Sequence, residues 1–171
     1  MLRLERLRPD HAPALLAFEQ ENREYFARSV PDRGDAFFAE FASRHLARLA
    51  EQDAGECHFH VVLDEDGDLI GRVNLVDIDE EGAELGYRIA ERATGRGVAT
   101  AAVAEACRLA AATYRLSALR ARTTLDNPGS MTVLARNGFT PVGDITLDGR
   151  PGIRYRRRLA TEPAGRIRSL A

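Results

Sequence analysis

A short glycine loop, Arg92-Ala-Thr-Gly-Arg-Gly-Val-Ala-Thr100, constrains the fold of this chain more than any other stretch. It lies between a strand-like run at residues 83–89 and a helix-like run at residues 98–114. Two glycines one residue apart permit a tight turn that brings backbone N–H groups together. The helix that follows adds its unpaired N–H groups and the positive end of its dipole. The loop therefore predicts a socket for a phosphate or pyrophosphate, with Arg92 and Arg96 adding charge at its rim.

The loop does not match two common phosphate-binding motifs. No Gly-Lys-Ser or Gly-Lys-Thr follows it, as a P-loop requires. The dinucleotide fingerprint requires Gly-x-Gly-x-x-Gly early in a βαβ unit, and this loop has neither the third glycine nor the early position. On this stretch alone, an anion-binding loop and an ordinary strand-to-helix turn both stay open.

The composition indicates one soluble globular domain. A chain of 171 residues with 44% apolar and 29% charged residues can bury one sizeable core. The net charge of −2 gives no general attraction to nucleic acid or anionic lipid, although all 24 basic residues are arginine. Cys57 and Cys107 show no metal-site spacing and are expected to be reduced thiols in a cytoplasmic protein. No signal peptide or membrane span is predicted, because the N-terminus alternates charge with Leu and no long apolar run occurs.

The remaining patterns predict the element order β-α-α-β-β-β-loop-α-β-α-β-β. The first strand is expected to end near Arg8, and Asp10 can cap the first helix. Further helices are predicted at residues 35–52, 98–114 and 130–136, and further strands at 58–63, 69–78, 83–89, 119–125, 139–147 and 153–159. Tyr25 and Phe26 can line a substrate groove, although core packing accounts for most aromatic residues of the early helices. Residues 1–159 are predicted to form a single domain, and residues 160–171 a flexible C-terminal tail.

Four stretches together carry a family resemblance. The loop fits the pattern Arg/Gln-x-x-Gly-x-Gly/Ala, and it is joined by Glu84-Leu-Gly-Tyr-Arg-Ile89, Asp126-Asn-Pro-Gly-Ser130 and Val133-Leu-Ala-Arg-Asn-Gly-Phe139. The chain from about Leu2 to Leu159 thereby resembles the GNAT superfamily of N-acetyltransferases, in its RimJ/RimL-like branch of ribosomal-protein-alanine and -serine N-acetyltransferases. The resemblance implies an α+β fold in α/β/α layers, with a mixed, mostly antiparallel, splayed sheet and helices on both faces.

The resemblance also implies acetyl-CoA as cosubstrate and no metal. The pyrophosphate is expected on the amides of the loop. The pantetheine arm is expected to run alongside the strand at Tyr87-Arg-Ile89, where it can pair with backbone groups as an added strand does. A backbone N–H near Tyr87 is expected to point at the thioester oxygen. The implied cofactor-binding residues are Tyr87, Arg88, Ile89, Arg92, Thr94, Gly95, Arg96, Gly97, Val98, Ala99, Thr100, Asn127 and Ser130.

Ser130 is the candidate acid that protonates the leaving thiolate. Many GNAT enzymes carry a Tyr four residues further on, where this chain has Leu134. Ser130 also suits the N-cap of the short helix predicted there, and both roles can hold together. Asn127 is the third candidate catalytic residue beside Ser130 and Glu84, since its amide can hold pantetheine or order the site. The alternative for Asn127 is a simple Asx turn before Pro128.

Glu84 is the preferred general base, and Asp77 is the alternative. A free carboxylate has a pKa of about 4 and an α-amine a pKa of about 8, so either carboxylate would relay a proton or attract the amine rather than deprotonate it outright. Asp77 can also be a solvated residue before an acidic turn. His58 and His60 share a strand face without a third metal ligand, and both are expected to face solvent.

Two classes of function remain open. The leading one is transfer of an acetyl group from acetyl-CoA to a primary amine, on a protein N-terminus or a small molecule, by direct attack in a ternary complex. Its rival is a non-catalytic acyl-CoA-binding or partner-binding module; a nucleotide-phosphate enzyme is a weaker third hypothesis. Acidic runs at residues 64–68 and 77–81 can attract a cationic amine or be ordinary solvated turns. No nucleic-acid or membrane partner is expected, and the resemblance allows a homodimer.

Overall fold

Seven strands form one sheet in the order β1-β2-β3-β4-β5-β7-β6 in the computed structural model, which describes residues 1–160. The strands are β1 (Arg3–Arg6), β2 (His58–Leu63), β3 (Leu69–Asp79), β4 (Gly82–Ile89), β5 (Ala118–Thr124), β6 (Thr140–Leu147) and β7 (Arg150–Arg158). The helices are α1 (Ala12–Glu21), α2 (Arg23–Ala27), α3 (Asp35–Ala39), α4 (Phe41–Asp53), α5 (Val98–Ala112) and α6 (Pro128–Arg136). Two short 3-10 turns lie at Pro9–His11 and Glu91–Ala93.

All neighbouring strands pair antiparallel except β4 and β5, which run parallel. A parallel pair needs a crossover connection, and α5 supplies it. Helices pack on both sheet faces, with α1 on β3 and α4 on β2, and with α5 on β4 and α6 on β5. The predicted α+β fold, with its mixed and mostly antiparallel sheet, is confirmed.

The parallel pair is short, and this splays the sheet. Its register contains only Ala83 opposite Leu119 and Glu84 opposite Arg120, whereas β4 pairs with β3 as far as Ile89. Gly82 lies next to the paired ends of the two strands. A Cβ at this position would overlap the carbonyl oxygen of Ala118, and its φ of 135° suits glycine alone. The two strands therefore separate after Glu84.

Two predicted helices are each divided in the structure. The helix predicted at residues 35–52 is interrupted at Glu40, which separates α3 from α4. The first helical stretch begins as a 3-10 turn at Pro9 and is interrupted at Asn22. The Asn22 side chain donates to the Phe18 carbonyl at 2.9 Å and accepts from the Glu91 backbone N–H at 2.9 Å. Asn22 thus ties the break between α1 and α2 to the turn that precedes the glycine loop.

The remaining boundaries differ from the sequence prediction by a few residues. The first strand ends at Arg6 rather than near Arg8, and α6 begins at Pro128 rather than at Ser130. Of the tail predicted at residues 160–171, residues 161–171 lie outside the described part of the chain. Among residues 1–160, no helix is both long and apolar enough to cross a membrane.

Candidate functional site

A cleft of about 1160 Å³ opens where β4 and β5 separate. Both faces of β4 line it, because successive strand residues point to opposite sides of a sheet. The glycine loop and the start of α5 form one end, and residues of α2 and of the β6–β7 turn line other parts of the wall. Its volume exceeds that of a typical pocket for one small ligand, so it has room for two reactants.

The glycine loop has the geometry that its sequence predicts. Gly95 and Gly97 adopt φ values of 75° and 74°, in the left-handed region. Gly97 is the N-cap of α5, and the Ala101 N–H donates to its carbonyl at 3.0 Å. The earlier N–H groups of the helix have no partner within it and are available to an anion. The predicted cofactor residues of this stretch that line the cleft are Thr94, Gly95, Gly97, Val98, Ala99 and Thr100.

The two loop arginines lie elsewhere. Arg92 and Arg96 are exposed and do not line the cleft. The guanidinium of Arg96 donates to the carbonyl of Arg92 at 3.2 Å, so it folds back along the loop. Neither side chain is placed on the anion socket in this structure.

A pair of hydroxyl groups lies in the cleft wall. The Tyr87 hydroxyl of β4 and the Ser130 hydroxyl of α6 are 2.9 Å apart and share a hydrogen bond. Burial raises the pKa of Tyr87. The phenol therefore keeps its proton at neutral pH and can donate it. Sequence reasoning selected Ser130 but considered only the backbone of Tyr87, since nothing in the spacing links two residues that are 43 positions apart.

Asn127, and not Ser130, is the N-cap of α6. Its side-chain oxygen accepts from the Ser130 backbone N–H at 3.2 Å, and Pro128 occupies the first turn. The alternative prediction of a capping role for Ser130 is therefore wrong, and the Ser130 hydroxyl is not used for capping. Asn127 lines the cleft as well, and its amide N–H groups are not used by this cap. Leu134, at the position of the expected Tyr, is buried and lies at the cleft wall.

Glu84 lines the cleft but is paired with arginine. Its carboxylate accepts from the Arg122 Nε at 2.9 Å and lies 3.9 Å from the Arg120 Nε. Asp77, the alternative base, does not line the cleft. It occupies the irregular end of β3 with a φ of 49°, and its backbone carbonyl accepts from Arg120 at 2.8 Å. The structure therefore brings only the first of the two candidate carboxylates to the site.

Arg88 connects the cleft to a buried charge cluster that the sequence did not reveal. It lies on the face of β4 toward α1, with its guanidinium 5.0 Å from the centre of the Phe26 ring and 3.4 Å from the Glu19 carboxylate. Arg33 and Arg72 each lie 3.1 Å from the same carboxylate, which is only 2% exposed. Burial lowers the pKa of Arg88 to about 10, so it remains charged at neutral pH. Ile89, the last predicted residue of this strand, is buried and also lines the cleft.

Asn137 is a second residue near the site whose contacts the sequence did not reveal. Its side-chain amide donates to the Thr100 carbonyl at 3.2 Å and to the Val133 carbonyl at 2.9 Å. It therefore ties the end of α6 to the first turn of α5, next to the glycine loop. In the sequence, Asn137 precedes Gly138, a pattern that normally indicates only a helix end.

The expectation that both strand histidines face solvent is wrong. His60 is buried, and its Nε2 lies 2.6 Å from the Tyr114 hydroxyl. His58 is half-buried and stacks on the Tyr114 ring at 3.6 Å between centroids. Within residues 1–160, no group of three or more His, Cys, Asp or Glu side chains is arranged to hold a metal ion. Both cysteines are free and buried, in agreement with their assignment as reduced thiols.

Comparisons with known proteins agree with this geometry. The Acetyltransferase (GNAT) domain family matches residues 1–140. A probable N-acetyltransferase of Bacillus subtilis, YjcK, is 29% identical over 136 residues, which cover 75% of this chain and 74% of YjcK.

Two solved structures share the fold. Ribosomal-protein-S5-alanine acetyltransferase from Vibrio fischeri superposes with a TM-score of 0.85 at 21% identity, covering 92% of both chains. Spermidine N-acetyltransferase from Vibrio cholerae, in complex with CoA and spermine, gives a TM-score of 0.76 at 20% identity, covering 92% of this chain and 95% of that one. The structural neighbours thus include a ribosomal-protein-alanine acetyltransferase, as the RimJ/RimL resemblance implies. Because the family matches most of the chain, this protein belongs to the GNAT family of acetyltransferases.

Proposed function

We propose that this protein transfers the acetyl group of acetyl-CoA to a primary amine, on a protein N-terminus or a small molecule, by direct attack in a ternary complex. The splay between β4 and β5 carries this proposal. It joins the anion-binding end of α5 and the Tyr87–Ser130 hydroxyl pair in one cleft with room for two reactants. The neighbours named above act on ribosomal protein and on spermidine, so both kinds of amine are candidates. A cytoplasmic location and a possible homodimer belong to the same proposal.

The cosubstrate would extend from the glycine loop along β4. The pyrophosphate accepts from the free amides at residues 95–100, where the helix dipole favours negative charge. The pantetheine arm lies beside Leu85 to Ile89, whose backbone groups on the β5 side have no register partner in β5. It can pair with them as an added strand does, and a backbone N–H near Tyr87 polarises the thioester carbonyl. Asn127 offers its amide N–H groups to the arm.

The chemistry requires one bond exchange, loss of protons from the acceptor nitrogen and delivery of one proton to the leaving thiolate. The neutral amine nitrogen attacks the thioester carbon, the C–N bond forms, and the C–S bond breaks. Ser130 donates a proton to the leaving thiolate, the Tyr87 phenol replaces that proton through their 2.9 Å hydrogen bond, and water returns a proton to Tyr87. Glu84 attracts the incoming ammonium, which passes one proton to water to become the neutral amine, and the nitrogen passes a second proton to water after the attack. This role for Glu84 is electrostatic, because its carboxylate is already paired with Arg122.

The decisive test measures thiol release and CoA affinity on the same variants. Peptides beginning with Ala or Ser, Lys-containing peptides and polyamines serve as acceptors. We expect Ser130→Ala to lower kcat by about 10²-fold and Tyr87→Phe by about 10-fold, with little change in the CoA Kd, because proton transfer alone is affected. Thr132→Ala is the matched control, since it removes a hydroxyl from the same helix, also at the cleft wall, without touching this pair.

The other outcomes are distinct. Unchanged kcat in Ser130→Ala would show that the acid is a different group. CoA binding without turnover on any acceptor would favour the non-catalytic module, which Leu134 at the usual Tyr position also favours. Absence of CoA binding would contradict the assignment of the glycine loop itself.

A further inference from the structure

Five arginines lie on one face of β5 and β7, which we call the basic face. They are Arg120 and Arg122 of β5 and Arg154, Arg156 and Arg158 of β7. The strand register places Arg120 opposite Arg156 and Arg122 opposite Arg154. The intervening residues point to the other side, where Tyr155 is buried and Arg157 donates to the carbonyl of Asn137, just after α6, at 2.8 Å. The basic face is therefore the side of the sheet opposite α6, and its β7 arginines are exposed.

The charge of this face is only partly compensated. Arg120 is paired with Asp79 at 3.1 Å and Arg122 with Glu84 at 2.9 Å. Across residues 1–160, the guanidinium groups of Arg154, Arg156 and Arg158 form no ion pair with a carboxylate. Five positive charges against two negative ones leave three in excess, although the whole chain carries −2. Like charges directly opposite each other destabilise a sheet, so this arrangement becomes favourable when an anionic partner covers it.

The basic face begins at the rim of the cleft. Arg122 and Glu84 line the cleft, and the register continues from Arg122 and Arg154 to Arg158, opposite Ala118. The four steps along the strand from Arg154 to Arg158 span about 13 Å, at about 3.3 Å per residue. A polypeptide with its N-terminal amine in the cleft can therefore lie across all three uncompensated arginines within roughly its first ten residues.

We propose that the basic face binds an acidic segment of the acceptor polypeptide, close behind the N-terminal amine that the cleft acetylates. This inference rests on the proposed function and narrows its acceptor to a protein with an acidic N-terminal region. A polycation such as spermidine would meet repulsion here. The acidic runs at residues 64–68 and 77–81, which suggested a cationic acceptor, do not line the cleft.

The surface chemistry fits an acidic polypeptide better than RNA. Single-stranded nucleic acid is usually held by aromatic side chains on which bases stack, between basic residues. The five positions of the basic face carry arginine alone, and the one aromatic residue of β7, Tyr155, is buried on the other side. Arginine also pairs with carboxylates in bidentate geometry, which suits a row of Asp and Glu side chains.

The experiment compares three acceptor peptides that share an N-terminal tripeptide and differ only in the following seven residues, which are acidic, neutral or basic. The double variant R154E/R156E reverses two exposed charges outside the cleft. It is expected to fold, because each new Glu faces an arginine of β5. The control R44E/R108E makes the same change in charge at exposed positions of α4 and α5.

We expect the wild-type KM to be at least 10-fold lower for the acidic peptide than for the neutral one, with kcat similar. R154E/R156E should remove that advantage, the control should keep it, and both should acetylate the bare tripeptide as the wild type does. Added salt should also weaken the preference, since the charges are exposed. An equal KM for all three peptides, or an equal effect of both double variants, would overturn the proposal.

A binding measurement separates this proposal from the proposed function. Fluorescence anisotropy of the labelled acidic peptide with CoA-loaded protein reports the basic face without turnover. In one outcome, no peptide is acetylated, but the acidic peptide binds the wild type and not R154E/R156E. This result would overturn acetyl transfer to these acceptors and would support the basic face as a docking surface. If an RNA oligonucleotide displaces the peptide and binds at least 10-fold more tightly, the face is a nucleic-acid surface and the proposal is wrong.

Discussion

Glu19 of α1 is a single buried carboxylate on which three arginines converge. Arg33, Arg72 and Arg88 come from the loop before α3, from β3 and from β4, so this one residue joins three parts of the chain. Replacing one partner of a buried ion pair leaves the others uncompensated, and this usually costs more than the pair itself contributes.

The Glu19→Gln variant should therefore lower the free energy of unfolding by about 3–5 kcal/mol. Urea denaturation measures this change. Glu40→Gln is the control, because Glu40 pairs with Arg44 on an exposed helix surface and should cost less than about 0.5 kcal/mol. Equal effects of the two substitutions would mean that the buried ion pairs of Glu19 stabilise the fold no more than an exposed ion pair does.

His60 should make the stability depend on pH. Burial, then the nearby charges of His58 and Arg6, lower the pKa of His60 to about 4 from 6.5. Between these values the unfolded chain binds a proton that the folded protein does not, so the stabilisation is complete above pH 6.5 and is lost as the pH falls towards 4. From pH 7.5 to 5 the loss due to His60 should be about 2 kcal/mol.

Urea unfolding of the wild type and of His60→Phe at both pH values tests this expectation. The variant loses the contact with Tyr114 and should be less stable at pH 7.5, but its stability should change less with pH. The two proteins would show the same pH dependence if His60 did not titrate in this range. The burial of His60 could not be predicted from its own strand, because its partner Tyr114 lies 54 positions away, just after α5.

At the scale of the elements, the junction between the glycine loop and α5 depends on the backbone of Gly97. A residue with a side chain at its φ of 74° would be strained by about 1–2 kcal/mol. Relief of this strain would turn the free amides away from the anion.

Gly97→Ala should therefore weaken CoA binding by about 5- to 30-fold, as measured by calorimetry. Gly67→Ala is matched to it, since Gly67 has a φ of 86° in an open turn between β2 and β3, away from the cleft. Both variants should lose similar thermal stability, and only the first should lose affinity. A Gly97→Ala protein with normal CoA affinity would show that the loop amides do not need this conformation.

Local signals predicted the elements well, and long-range contacts account for the errors. The apolar–polar alternation that indicates each of the strands β2 to β4 is contained within a few consecutive residues, and so are the two glycines that indicate the loop. The helix break at Asn22 is different, because it is stabilised by a hydrogen bond to Glu91, and no Gly or Pro is present to indicate it. The Tyr87–Ser130 pair and the Glu19 cluster were missed for the same reason, since only the folded sheet brings their members together.

At the scale of the whole molecule, charge is distributed unevenly in a way that composition conceals. The chain carries −2 in total, yet one sheet face holds five arginines, whereas the turn before β3, at residues 64–68, is acidic. Net charge therefore gives no information about a local attraction to a polyanion. The strand register places the five arginines on one face and so identifies the local charge that the net charge conceals.

The separation of β4 from β5 also affects how the substrates enter and how the products leave. Because side chains from both faces of β4 line the cleft, the opening is a slot through the sheet rather than a pit in one surface. In the proposed reaction the thioester enters from the side of α5 and α6, and the amine from the opposite side. Each product can then leave on the side from which its substrate entered, so the release of one product does not depend on the release of the other.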